Sequence, residues 1–276
     1  MLISDAEEMN PGKRNTMEDV HRAILKFGGQ SGTTFLAVYD GHGGRGIADY
    51  IETRLENNIL NEMRASAPQS DENAAPTSGG GGKAVEEDIS PTLKAMERAY
   101  LLTDMQSRQA GIMASGATAV TCLLDRTEGE GRIYTANCGD ARAVLVKKDS
   151  VVRLSHDHKA EDPEEIERIE ASGGFVLRNR VLGILAVARS FGDHGMKEFV
   201  VCRPYLSETP LSEGDKAVVV ACDGLWDVVS DEDCKELLDG WVERDGVSKE
   251  EVAQHLIDEA LKRGSTDNIS VVVCWL

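Results

Sequence analysis

The chain has 276 residues, 41% of them hydrophobic and 28% charged, which suits an ordinary globular core. Its formal net charge is -18 at pH 7. That balance argues against nucleic acid or an anionic membrane surface as partner, because both call for clustered Lys and Arg. The first residues, Met1-Leu2-Ile3-Ser4-Asp5-Ala6-Glu7-Glu8, lack a basic segment and a long apolar run, and no apolar stretch reaches membrane-spanning length. Six cysteines, none in a Cys-x-x-Cys pair, read as buried thiols of a reducing compartment. The expectation is a soluble monomer of the cytoplasm or nucleus.

In chain order, strand-like runs fall at 20–27, 34–39, 117–124, 132–136, 142–146, 217–222 and 269–275. Short turns join several of them, such as Cys138-Gly139-Asp140, which favours antiparallel pairing. Between them lie amphipathic helices. Ile47, Ile51, Leu55 and Ile59 recur on one face. A second helix starts after Ser90-Pro91 and carries Leu93, Met96 and Tyr100. Asp162-Pro163-Glu164-Glu165 reads as the cap of a third, which carries Ile166 and Ile169 and ends at Ser172-Gly173-Gly174. Ser248 with Glu251 reads as a capping box before Val252, Leu256, Ile257 and Leu261. Residues 65–83, with Thr77-Ser78-Gly79-Gly80-Gly81-Gly82, read as a flexible surface insert between two helices rather than a boundary. Residues 1–276 are read as one domain.

Acids border the apolar runs. Glu18-Asp19 precedes the first, Asp40-Gly41-His42 ends the second, Asp223-Gly224 ends a later one, and Asp267-Asn268 precedes the last. Asp140 and Asp227 sit in adjacent turns. A carboxylate at the mouth of a core is costly unless paired or bound to metal. Asp40 and Asp223 follow their strands while Asp267 precedes its own, so the three converge only if the last strand runs antiparallel to the other two. Carboxylates with water suit magnesium, calcium or manganese rather than zinc. His156-Asp157-His158 reads as a polar loop, since no second ligand pair has zinc-site spacing.

Two metals sharing one carboxylate can clamp an in-line displacement at phosphorus, and their charge would offset the acidic surroundings. Arg14 offers a bidentate fork for a phosphate, and His42 a proton for a leaving alkoxide. No cysteine has Arg six residues on, and neither a Gly-x-x-x-x-Gly-Lys-Ser/Thr loop nor a Gly-x-Ser-x-Gly elbow occurs.

These residues resemble the metal-dependent serine/threonine protein phosphatases of the type 2C (PPM) family, most of all the compact eukaryotic members that consist of little beyond the catalytic domain. The resemblance runs nearly end to end through Arg14-Asn15-Thr16-Met17-Glu18-Asp19, Tyr39-Asp40-Gly41-His42-Gly43-Gly44, Ser115-Gly116-Ala117-Thr118-Ala119, Ala136-Asn137-Cys138-Gly139-Asp140-Ala141-Arg142, Ala186-Val187-Ala188-Arg189-Ser190-Phe191-Gly192-Asp193, Ala221-Cys222-Asp223-Gly224-Leu225-Trp226-Asp227 and Ser265-Thr266-Asp267-Asn268. It implies an α+β fold, a four-layer αββα sandwich of two antiparallel sheets flanked by antiparallel helix pairs.

It also implies hydrolysis of phosphoserine and phosphothreonine in proteins by a metal-bridging hydroxide at a binuclear magnesium or manganese centre, with no phosphoenzyme intermediate. Asp40 matches the acid shared by both metals. Asp223 and Asp267 match the remaining acidic ligands of one, and Glu18 with the Gly41 carbonyl those of the other. Asp19 matches an acid behind the pair. Asp140, with Asp223 and Asp227, matches a weaker third metal site. Arg14 matches the phosphate-binding arginine, His42 the general acid, and residues 157–180 a variable flap beside the cleft. Ala141 and Ala188 depart from the family's usual Ser or Thr; neither matches a metal ligand. The rival classes are a silent binding module and an enzyme of small phosphate esters. A silent member usually lacks a metal ligand, and here none is missing.

Overall fold

The computed structural model describes residues 1–66, 89–127, 129 and 131–276. In chain order its elements are β1 (Leu2–Glu8), β2 (Val20–Leu25), β3 (Thr33–His42), α1 (Gly46–Ser66), α2 (Pro91–Gln109), β4 (Gly116–Asp125), β5 (Arg132–Cys138), β6 (Arg142–Lys147), β7 (Val151–Arg153), α3 (Pro163–Ala171), β8 (Phe191–Gly192), β9 (Tyr205–Pro210), β10 (Asp215–Ala221), α4 (Asp223–Trp226), α5 (Asp231–Asp239), α6 (Val252–Lys262) and β11 (Ile269–Trp275). One sheet has the order β1-β11-β10-β6-β7; the other runs β2-β3-β4-β5-β9, with β8 also paired to β4. All pairings between these strands are antiparallel.

Side-chain alternation assigns each face. Along β3, Phe35, Ala37 and Tyr39 pack outward with α1 and α2, while Leu36 and Val38 pack inward. Along β10, Ala217, Val219 and Ala221 meet α5 and α6, while Val218 and Val220 point inward. The inward residues of both sheets, with Val120 and Cys122 of β4 and Val272 and Cys274 of β11, form one buried cluster between the sheets. The layers are therefore helices, sheet, sheet, helices.

The seven expected strands are present. Asp40 lies inside β3 rather than at its end, because the ladder continues through Asp40↔Thr118, Gly41↔Ala117 and His42↔Gly116. Asp162 caps α3 as expected, α2 starts at Pro91 with Ser90 as its cap, and Ile47, Ile51, Leu55 and Ile59 are fully buried. The expected capping box at Ser248 is absent. Ser248 Oγ binds Glu250 Oε2, Glu251 closes a turn onto the Ser248 carbonyl, and α6 starts at Val252 without a side-chain cap. The box is found instead at Ser230 and Asp233, opening α5. Of the insert, Ala65 and Ser66 close α1; residues 67–83 lie outside the described residues.

Candidate metal centre and active site

Period-two alternation carries Asp40 onto the same inward face as Leu36 and Val38, where Thr118 stands opposite it. The inter-sheet core thus ends in a carboxylate. Asp140, in the turn between β5 and β6, and Asp223, the first residue of α4 just past β10, reach the same point. One ligand oxygen from each of Asp40, Asp140 and Asp223 lies within 4.8 Å of the others. Asp19 sits behind them with its side chain 1% exposed. Among the described residues, no Lys or Arg forms an ion pair with Asp19, Asp40, Asp140 or Asp223.

The electrostatic consequence is large. Burial, and then the charge of Asp223, pushes Asp140 up to about 8. Burial, and then Asp267 and Asp227, pushes Asp223 up to about 6. Burial also lifts Asp19 to about 7, though the Cys222 thiol and Ser270 hydroxyl pull it down. Asp40 is held well above the carboxylate range by burial and by the four neighbouring acids. Asp19 Oδ2 and Thr118 Oγ1 are buried without a hydrogen-bond partner among the described residues. Oxygen-only donors with uncompensated charge and orphaned polar atoms fit hard divalent cations such as magnesium or manganese.

The remaining expected residues surround this point. A cavity of about 280 Å³ is lined by Arg14, Asp40, Gly41, His42, Thr118, Asp140, Asp223 and Asp267, with Arg180, Leu185, Ala186 and Val187 from the flap. Arg14 pairs with the Asp267 carboxylate and donates through Nε to the Thr266 carbonyl at 3.2 Å. Glu18 accepts from the Gly44 N–H at 3.0 Å and the Thr16 hydroxyl at 2.9 Å. Only glycine fits at position 41: a Cβ there would lie 2.5 Å from the Glu18 carbonyl oxygen. His42 Nε2 lies 2.7 Å from Asp193 Oδ2. Asp227 stands apart. Its half-exposed carboxylate pairs with Lys159 at 2.8 Å and does not line the cavity.

The model of the family described as Protein phosphatase 2C matches residues 4–269. The chain belongs to the protein phosphatase 2C family. The Saccharomyces cerevisiae protein named Protein phosphatase 2C homolog 1 is 33% identical, over 99% of this chain and 93% of its own length. Its Schizosaccharomyces pombe namesake is 36% identical over 97% of this chain and 71% of its own. The fold is similar to a solved structure described as a phosphatase from a pathogenic strain of Toxoplasma gondii, with TM-score 0.77, 23% identity, and 98% and 91% of the two chains covered. By family this protein is a metal-dependent protein serine/threonine phosphatase.

Some cavity residues of this phosphatase escape a reading by motif alone. Thr118 carries no charge, and only its register opposite Asp40 marks it. The cavity wall runs past residue 180 to Val187, because the flap folds back on itself through bridges Val176↔Val181 and Val181↔Leu185. The flap has its own small apolar cluster, built on Ile169, Val181, Ala188 and Val200. All six cysteines are free and buried, as expected, and burial pushes the Cys222 thiol well up. Among the described residues no helix is long and apolar enough to cross a membrane.

Proposed function

We propose that this protein phosphatase 2C hydrolyses phosphoserine and phosphothreonine esters in proteins, with water as the nucleophile and two magnesium or manganese ions as cofactors. The observation that carries this reading is the meeting of Asp40, Asp140 and Asp223 within 4.8 Å at the floor of a cavity that also holds Arg14 and His42. Asp40 would be shared by both ions. Asp223 and Asp267 would complete one, Glu18 and the Gly41 carbonyl the other, with Asp19 behind them. A weaker third ion would use Asp140, Asp223 and Asp227. When bound, the ions supply positive charge for the phosphoryl oxygens and acidify the attacking water.

The chain's own residues do the rest. The guanidinium of Arg14 grips and orients the phosphate. His42 holds the proton that the leaving serine or threonine oxygen takes up. The buried Cys222 thiol, raised far above neutrality, offers no thiolate for a cysteinyl phosphate, which fits direct attack by water. The test is phosphate release from a phosphothreonine peptide with manganese, with excess chelator, and by Asp40→Asn. Metal stabilisation is worth several kcal/mol, so the chelated and variant proteins should each lose about a thousandfold or more in kcat/KM. Activity that survives both treatments contradicts the reading.

A further inference from the structure

One half-buried acid near the cavity has no place in the assignments above. Asp193 follows β8, and its side chain is 14% exposed. Its backbone φ is +45°, in the left-handed region that a non-glycine residue holds only where its surroundings enforce it. Three contacts enforce it here. The Asp193 N–H donates to the Ser115 carbonyl at 3.1 Å. The preceding Gly192 N–H donates to Asp104 Oδ1 of α2 at 2.8 Å. Lys197 Nζ ties Asp104 Oδ1, at 3.1 Å, to the Ser190 carbonyl, at 3.0 Å.

The strained turn aims one carboxylate oxygen. Asp193 Oδ2 accepts from the Ser190 hydroxyl and faces His42 Nε2 at 2.7 Å. The pair closes across β4 at Gly116, the residue opposite both His42 and Gly192, and any Cβ at 116 would collide with the Asp193 carboxylate and the His42 ring. The ring nitrogen that carries the usable proton is set by the hydrogen bond the other nitrogen makes. With Nε2 committed to Asp193, Nδ1 is left for the leaving oxygen.

The geometry points to Asp193 as the positioning residue of the general acid: it accepts Nε2–H of the doubly protonated His42 ring and so aims Nδ1–H at the leaving oxygen, and the Asp104-Gly192 contact braces it from the outer helix layer. This rests on the role proposed for His42. The consequence is selectivity by leaving group. A serine or threonine alkoxide needs a proton as the P–O bond breaks, whereas p-nitrophenolate leaves without one. In Asp193→Asn the ring keeps a neighbour of the same volume but loses the carboxylate that accepts Nε2–H, so the doubly protonated ring that donates from Nδ1 is no longer held in place.

The experiment measures kcat for manganese-loaded wild type, D193N, H42A and the double variant on a phosphothreonine peptide and on p-nitrophenyl phosphate. General acids contribute about 10²–10⁴-fold, so D193N should cost the peptide reaction about tenfold or more beyond its cost to p-nitrophenyl phosphate. H42A should show the same split, and D193N should add less than about threefold in the H42A background, since coupled groups are not additive. Ser190→Ala, which removes one of the bonds holding Asp193, should show a smaller split of the same sign. If H42A splits the substrates and neither D193N nor S190A does, the positioning role is overturned while the proposed function stands. If H42A shows no split, the acid role of His42 falls and this inference with it. Equal losses on both substrates in D193N mean a merely structural role and overturn it as well.

Discussion

Two groups of buried acids flank the start of β6 and behave in opposite ways. Asp231 binds Arg142 Nη1 at 2.8 Å and Arg153 Nε at 2.8 Å, and Arg142 also grips Asp157 and lies 5.2 Å over the Trp226 ring. Burial pushes the Asp231 carboxyl up, yet the two arginines outweigh that and hold it below its ordinary value. Asp140, only two residues before Arg142, forms no ion pair among the described residues, and burial with the charge of Asp223 outweighs the more distant Lys159 and lifts it to about 8. The chain therefore spends two arginines on the Asp231 group, while at the cavity Arg14 pairs with Asp267 and leaves Asp19, Asp40, Asp140 and Asp223 without an ion pair among the described residues. A paired acid cluster is complete as it stands; an unpaired one at the floor of a cavity is arranged for cations brought from outside.

The comparison breaks most easily at Asp231. Removing one partner of a buried pair leaves an uncompensated charge, so Asp231→Asn should cost about 3 kcal/mol of stability. It should leave manganese affinity and peptide hydrolysis within a few-fold of wild type. Thermal melts and an activity assay check both halves. If Asp231→Asn instead lost metal binding, the two clusters would be one functional unit.

The other cluster is tested by pH. Asp19, Asp140 and Asp223 have folded values of about 7, 8 and 6, above the ordinary carboxylate value near 4 that they take when unfolded. Across that interval the folded chain binds more protons than the unfolded one. The metal-free protein should therefore lose stability as pH rises from about 4 towards 8. Stability of chelator-stripped protein against denaturant, followed between pH 5 and 9, should fall, and Asp140→Asn should flatten the fall. A rise through this range would mean the acids are compensated after all.

Legibility in the sequence follows burial. The central strands β3, β4, β10 and β11 carry largely apolar runs because both faces are covered, and such runs stand out. The edge strands β1, β7 and β9 do not. In β1 the exposed Asp5 and Glu7 alternate with the buried or half-buried Ser4, Ala6 and Glu8, and β9 contains Glu208 and ends at Pro210. Helix α5 was hidden by the acidic run Asp231-Glu232-Asp233 at its own start, which suits a helix N-terminus electrostatically but looks like a loop in composition. At the site, the charged residues were legible because an acid at the end of an apolar run is chemically conspicuous. Asp193 was not, although it stands in a quoted motif, because its meaning lies in a positive φ and a partner 151 residues away. Asp227 shows the reverse: its proximity in sequence to Asp223 suggests a shared role, while its side chain turns to Lys159.

The central claim is that the uncompensated acids are a cation site. Calorimetric titration of manganese into chelator-stripped protein at pH 7, in two buffers of different ionisation enthalpy, tests it most directly. Ligand carboxyls raised towards neutrality must lose protons as the metal binds. Two ions per chain should bind tightly with net proton release, and Asp40→Asn should abolish the tight pair. Absence of a tight pair in the wild type, or an unchanged titration in the variant, would contradict the account.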